Sequence, residues 1–267
     1  MALAAALLSR KHTMTAEGTL MATVAVELKI GDRRMAANLS VPDRLMHLSE
    51  LLPIVRRVSD AIVDAELAAT AAEGRQVSCQ MGCAACCRQL VPITEVEARA
   101  IGRLVADSSE PRRGTIQARF AAVRARLDAA GLTKRLDERY DWTTAEFKEM
   151  VQHYFRQAIP CPFLEDECCS IYSDRPLRCR EYLVTSPAEL CAQEDHSEIE
   201  NVDMPVRVSQ ALAHLDRPQA GSQYVRWVPL SMALEWADEH PDEPPPRAGA
   251  ELVAELFNQL RSPPSAE

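Results

Sequence analysis

Four of the nine cysteines in this chain of 267 residues lie close together, in Cys79-Gln-Met-Gly-Cys83-Ala-Ala-Cys86-Cys87. The other five return after a long gap, as Cys161, Cys168, Cys169, Cys179 and Cys191. Thiolates are the strong soft ligands of proteins, and they bind zinc or iron in tetrahedral arrays. A Cys-x3-Cys or Cys-x2-Cys step brings two sulfurs onto one ion, because a tight turn points both side chains inward. Cys79, Cys83 and Cys86 offer three such sulfurs in succession. A fourth must come from Cys87 or from the distant group. Adjacent side chains diverge, so Cys86 and Cys87 either serve different centres or only one of them ligates.

Composition narrows the alternatives. The formal charge is −9, and no basic run exceeds Arg112-Arg113 or Lys134-Arg135, so nucleic acid is not an expected partner. No stretch approaches the roughly 18 apolar residues of a membrane span. The apolar opening Met1–Leu8 lacks a positive flank before it and is stopped by Arg10 and Lys11. It therefore reads as a disordered start rather than a signal, with the cytoplasm as the expected compartment. In a reducing compartment, cysteine richness points to metal or redox chemistry. A disulfide framework fits poorly in any case: the count is odd, and the neighbours Cys86-Cys87 and Cys168-Cys169 would close strained rings.

The elements that must position these thiols are mostly helical. Val24, Val26, Leu28 and Ile30 alternate with polar or small neighbours, and Met35, Ala37, Leu39 and Val41 resume the pattern after Gly31-Asp32. That is a β-hairpin. A long helix from about 42 to 72 shows its apolar face at Leu51, Val55, Val58 and Ile62, and Gly74 supplies its stop. The first cysteines then sit on a loop just past a helix end. Thr94 and Glu97 form a capping box for the next helix. Further helices are expected near 114–130, 144–157, 207–216, 230–239 and 248–260. Pro162, Pro176 and the acidic Glu165-Asp166-Glu167 argue against a long regular element around the second cysteine group.

The fold class expected is mainly α: a helical domain with an N-terminal β-hairpin and irregular cysteine-rich loops converging on a metal site. Its division would be a disordered start at 1–20, a hairpin at 21–42 and the helical cysteine-cluster domain at 43–240. A Pro-rich linker at 241–247 and a C-terminal helix and disordered tail at 248–267 follow. Leu90-Val91-Pro92-Ile93 would shield one side of the site. Arg88, Arg175, Arg178 and Arg180 could offset the negative charge of bound thiolates, or could merely be solvated or paired with Glu165–Glu167. His196 could replace a thiolate, but a lone histidine is more often a surface group. His153, Tyr172 and Tyr182 read as packing residues.

The combination Cys79-x3-Cys83-x2-Cys86-Cys87, Cys161-Pro-Phe-Leu, Cys169-Ser-Ile-Tyr, Arg175-Pro176 and Cys179-Arg180 resembles the YkgJ-type cysteine-cluster family. That family is described as a zinc- or iron-chelating domain, and flagellin lysine-N-methylase carries a similar one. The resemblance covers about residues 75–195. It implies that Cys79, Cys83, Cys86, Cys87, Cys161, Cys169, Cys179 and Cys191 are the family-type cysteines. Cys168 is then the extra one, since the Cys-x-Ile-Tyr register selects Cys169.

Eight thiolates exceed the four that one tetrahedral zinc or one 4Fe–4S cluster takes. Either two centres form, or some thiols stay free for redox exchange. The leading expectation is a metal-binding protein whose cysteines hold an iron–sulfur cluster or zinc, with iron–sulfur first. A protein lysine N-methylase is the enzymatic alternative, though the nine glycines form no Gly-x-Gly pattern for a methyl donor. A zinc-stapled module that binds a protein partner is the third.

Overall fold

Three antiparallel strands open the chain: Ala2–Met14 (β1), Leu20–Ile30 (β2) and Arg33–Pro42 (β3), in the order β1-β2-β3. The computed structural model describes residues 2–14, 18–30, 32–139, 142–216 and 226–261. β2 is the central strand, and its alternation is strict, with Ala22, Val24, Val26, Leu28 and Ile30 all buried. β3 pairs with it from Met21↔Pro42 to Ile30↔Arg33, as the hairpin pattern requires. On β3, however, only Val41 of the apolar set is buried, because the strand lies at the sheet edge. Gly31 of the expected turn lies outside the described residues.

The opening stretch departs from the sequence expectation. It is not a disordered start: β1 pairs with β2 from Ala2↔Ile30 to Met14↔Leu20, with an irregularity between Leu7 and Lys11. A two-stranded hairpin would leave the second side of β2 unpaired, and a third strand satisfies the N–H and C=O groups there. Periodicity alone could not reveal this, since Ala2–Leu8 carries no alternation.

By Cα proximity the chain forms two units. The first joins Met1–Asp64 with Met204–Val225 and Asp242–Glu267; the second joins Ala65–Asp203 with Arg226–Pro241. In the first unit, Leu45–Met46 (β4) precedes the long helix Leu48–Ala72 (α1), which continues into the second unit. Leu51, Leu52, Val55 and Ile62 are buried along α1. The expected tail from Ser262 lies outside the described residues.

The second unit includes Glu95–Ala106 (α2), Arg112–Ala129 (α3), Thr133–Asp137 (α4) and Thr144–Arg156 (α5). Two-residue strands punctuate them, Pro92–Ile93 (β5), Leu164–Glu165 (β6) and Cys168–Cys169 (β7). The short helix Leu177–Glu181 (α6) follows. In the first unit comes Val208–Leu215 (α7); the second then takes Val228–Pro229 (β8, paired with β5) and Ala233–Glu239 (α8). The first unit closes with Arg247–Ala248 (β9, paired with β4) and Gly249–Arg261 (α9), which lies against β1 and β2. The Pro-rich stretch before β9 is tied down within that unit: Ser49 Oγ donates to the Glu243 carboxylate at 2.7 Å.

Two apolar clusters organise the second unit. One gathers Ile93, Ile101, Ile116, Phe120, Phe163, Ile171 and Trp236; the other gathers Leu90, Val123, Leu127, Leu132, Met150 and Tyr154. Leu90 and Ile93 thus anchor the run after the first cysteines in both clusters. Among the described residues, no helix is long and apolar enough to cross a membrane.

Candidate metal centre

The first thiol segment begins where α1 stops. Gly74 takes φ +78°, and the Arg75 N–H reaches back to the Thr70 carbonyl at 3.1 Å, a helix end that needs a left-handed residue. The chain then runs through Ser78, whose N–H donates to the Val184 carbonyl at 3.0 Å. Val184 returns the contact by donating its N–H to the Cys79 sulfur at 3.4 Å. Gly82, at φ +88°, sits in the turn closed by Cys83 N–H to Gln80 O at 3.0 Å. A 3-10 turn, Ala85–Arg88, carries Cys86 and Cys87.

The second segment joins it directly. The Cys161 N–H donates to the Cys87 carbonyl at 2.7 Å. Cys161 is followed by buried Phe163, whose own N–H donates to the Cys161 sulfur. Cys169 repeats the device: buried Ile171, two residues on, donates its N–H to the Cys169 sulfur. These contacts give Cys-Pro-Phe and Cys-Ser-Ile a physical meaning. An apolar side chain sunk in the core fixes the backbone N–H that cradles each sulfur, one of the means by which proteins tune metal-bound thiolates.

The segment between them holds no long regular element, as expected, but one small hairpin stands within it. β6 and β7 form a hairpin whose turn is Asp166-Glu167, with φ of +47° and +57°. Two successive positive φ values make the turn type that matches strand twist. It went unseen because the turn lacks its usual glycine. Glu167 also pairs with Arg88, at 2.6 Å, bracing one cysteine region against the other. Within β7, successive side chains point to opposite faces, so Cys168 and Cys169 are turned apart.

Cys179 stands on α6, and the start of that helix is held from α2. The Leu177 N–H donates to Glu97 Oε1 at 2.8 Å. Glu97 Oε2 meanwhile accepts from the Thr94 N–H and hydroxyl, both at 3.0 Å, completing the capping box. Cys191 lies on a 3-10 turn, Ala188–Ala192, packed against the turn of Cys86 and Cys87. Its carbonyl accepts from Gln89 Nε2 at 3.1 Å.

The thiols are all free, and most are half-buried. Electrostatically they form one neighbourhood centred on Cys86, whose charge would act on Cys79, Cys161, Cys169, Cys179 and Cys191. Cys83 acts on Cys79 and Cys191. Cys86 itself is held well above the ordinary thiol range by its hydrogen bond with Cys87, and by burial. Burial pushes Cys161 up to about 12 and Cys179 well above its usual value. It also raises Cys79, Cys169 and Cys191.

As the side chains stand, no group of three or more His, Cys, Asp or Glu among the described residues is in ion-holding geometry. The donor set nevertheless fits a soft metal. Cysteines from separate chain segments influence one another there, and burial favours the protonated thiols of Cys79, Cys161, Cys169, Cys179 and Cys191. A bound cation balances thiolate charge and displaces the protons.

The four arginines divide. Arg88 takes the salt-bridged role, with Glu167. Arg175 faces the thiols: its charge favours the thiolate forms of Cys79, Cys86 and Cys169, while its guanidinium lies over the Tyr172 ring at 4.1 Å. Arg180 is buried, donates to the Arg175 carbonyl at 3.0 Å and acts on Cys169. Arg178 is exposed.

His196 stands edge-on to Phe155 at 5.3 Å, a packing contact. His153 lies in the last turn of α5. Tyr172 is exposed, its ring covered on one face by Arg175. Tyr182 has a role that its type did not announce: its hydroxyl donates to the Cys191 sulfur. Only its position beside the second cysteine group could have flagged it.

Residues 78–203 match the CxxCxxCC family model, described as "Putative zinc- or iron-chelating domain". All nine cysteines fall inside that span. No curated protein and no solved structure matches the chain.

Proposed function

We propose, on the premise that residues 78–203 are a zinc- or iron-chelating domain of the CxxCxxCC family, that the protein holds an iron–sulfur cluster or zinc through its thiolates. The ligands in this reading are Cys79, Cys83, Cys86, Cys87, Cys161, Cys169, Cys179 and Cys191. What supports it is the family match over 78–203, with the contacts that join the cysteine segments: Cys161 N–H to the Cys87 carbonyl at 2.7 Å, Val184 N–H to the Cys79 sulfur at 3.4 Å, and the Cys191 turn against that of Cys86 and Cys87. A bound iron–sulfur cluster would supply electron transfer, and bound zinc a structural clamp or Lewis acid.

The surrounding residues then have defined tasks. The N–H groups of Val184, Phe163 and Ile171 and the hydroxyl of Tyr182 donate to sulfurs that become anionic on binding. Arg175 offsets part of that charge. Phe163, Ile171 and Ile93 keep one side of the site dry.

The test is metal and sulfide analysis of the full chain purified without oxygen. Iron with inorganic sulfide and a broad visible absorbance would support the cluster; stoichiometric zinc in a colourless protein would support the other metal. A chain that retains neither, and takes up neither on anaerobic reconstitution, overturns the reading.

A further inference from the structure

We infer that a cavity between α2, α3 and the chain after β7 binds a small organic monocarboxylate, its apolar body inside and its carboxylate on Arg112. Nothing in this site rests on a metal: none of the residues lining it is a cysteine.

The cavity lies within the second unit and measures about 380 Å³, in the lower part of the roughly 300–1,000 Å³ that small-molecule sites occupy. α2 contributes Val105 and, just past its end, Ser109; α3 contributes Arg112 and Ile116; the stretch after β7 contributes Ile171 and Asp174. Arg112 and Ile116 stand one helical turn apart and so share a face of α3. Polarity is sorted by depth. Val105, Ile116, Phe163 and Ile171 are each no more than 5% exposed, which makes them the floor. Ser109, Arg112 and Ser173 are exposed and mark the mouth. A ligand must therefore be apolar at the end that enters and polar at the end that stays near water.

The groups at the mouth decide what the polar end is. Arg112 is the one cation among the described residues that line the cavity. Its Nη2 donates to the Ser170 carbonyl at 2.8 Å, which links α3 to the chain just after Cys169 and fixes the guanidinium at the rim. A guanidinium carries further N–H donors in a planar fork that suits a carboxylate. Two of the serines spend their hydroxyl protons within the protein, Ser108 on the Leu104 carbonyl at 2.8 Å and Ser173 on Asp174 Oδ2 at 3.2 Å. Arg112 is thus the principal donor offered to a ligand. Asp174, on the same wall, carries the opposite charge and disfavours a dianion such as a phosphate monoester. One negative charge fits this rim, and a carboxylate on an apolar body supplies it.

The probes are hexanoate and benzoate, titrated into the anaerobically purified full chain and followed by ligand-observed NMR, with hexan-1-ol and inorganic phosphate for comparison. At least one carboxylate is expected to bind saturably below about 10 mM, and hexan-1-ol and phosphate about 10-fold more weakly or worse. Arg112→Gln should weaken carboxylate binding about 10-fold. Leu104→Trp, which fills the cavity from a partly buried wall position, should abolish it. Circular dichroism reports whether each variant is folded, and the exposed Arg112→Gln decides the matter if Leu104→Trp does not fold. The proposal is overturned if neither carboxylate binds, if hexan-1-ol or phosphate binds as well as the carboxylate, or if folded Arg112→Gln binds unchanged. Metal is measured in the same samples, so a chain that takes up hexanoate but holds no metal contradicts the metal reading alone.

Discussion

Truncating Glu97 tests how α2 holds the metal site. Its carboxylate accepts three hydrogen bonds, from the Leu177 N–H at 2.8 Å and from the Thr94 N–H and hydroxyl at 3.0 Å each. Glu97 is 4% exposed, so water cannot readily replace it. Glu97→Ala leaves two buried backbone N–H groups without acceptors, at about 1–3 kcal/mol each, or roughly 2–6 kcal/mol together. Against a typical stability of about 5–15 kcal/mol, that is a large fraction. The loss falls on α6, whose first N–H is one of the two, and Cys179 follows two residues later. Urea unfolding of the full chain should show the destabilisation, and anaerobically purified Glu97→Ala should carry less metal than wild type. Glu97→Gln keeps an acceptor oxygen and should lose about half as much stability. If Glu97→Ala loses less than about 1 kcal/mol and keeps its full metal content, the bracing role is wrong.

The thiols make the metal-free chain sensitive to alkali. Burial raises the Cys161 thiol to about 12 and raises Cys79, Cys169, Cys179 and Cys191, so the unfolded chain releases these protons first. Stability is therefore complete below the ordinary thiol value of about 8.5 and falls as pH rises towards 12. Urea midpoints measured across that range, with reductant present, should decline; a flat profile contradicts the burial of these thiols. Tyr182→Phe removes the donor to Cys191 and should weaken metal binding about 10-fold while barely changing stability, as competition with a chelator can measure. Gly249→Ala would place a Cβ 2.6 Å from Met46 Sδ and 3.0 Å from the Pro42 carbonyl, at a cost of about 1–3 kcal/mol. Thermal unfolding should show that loss, with metal content unchanged.

The helices were legible wherever a repeat of apolar residues met a clear stop signal. The Thr94–Glu97 capping box, the Gly74 terminus and the Ile116-Phe120-Val123-Leu127 face of α3 all stand as their residues imply. β1 was not legible, because its partnership with β2 is a long-range choice that leaves no local pattern. The β6–β7 hairpin was hidden for a different reason: an Asp-Glu turn adopts positive φ only with help from its surroundings, here including Arg88. At the proposed site, the candidate thiols come from spacing and resemblance, whereas the residues that contact them could not be read the same way. The Glu97 link to α6 and the Tyr182 hydroxyl depend on side chains whose types are ordinary and whose positions arise only on folding.

Metal K-edge X-ray absorption on the anaerobically purified full chain examines the coordination itself. A first shell of about four sulfurs at roughly 2.3 Å, without nitrogen, is the expected result for zinc, and an all-sulfur shell is likewise expected for iron. A shell dominated by nitrogen or oxygen at about 2.0–2.2 Å would mean that the gathered thiols are not the ligands.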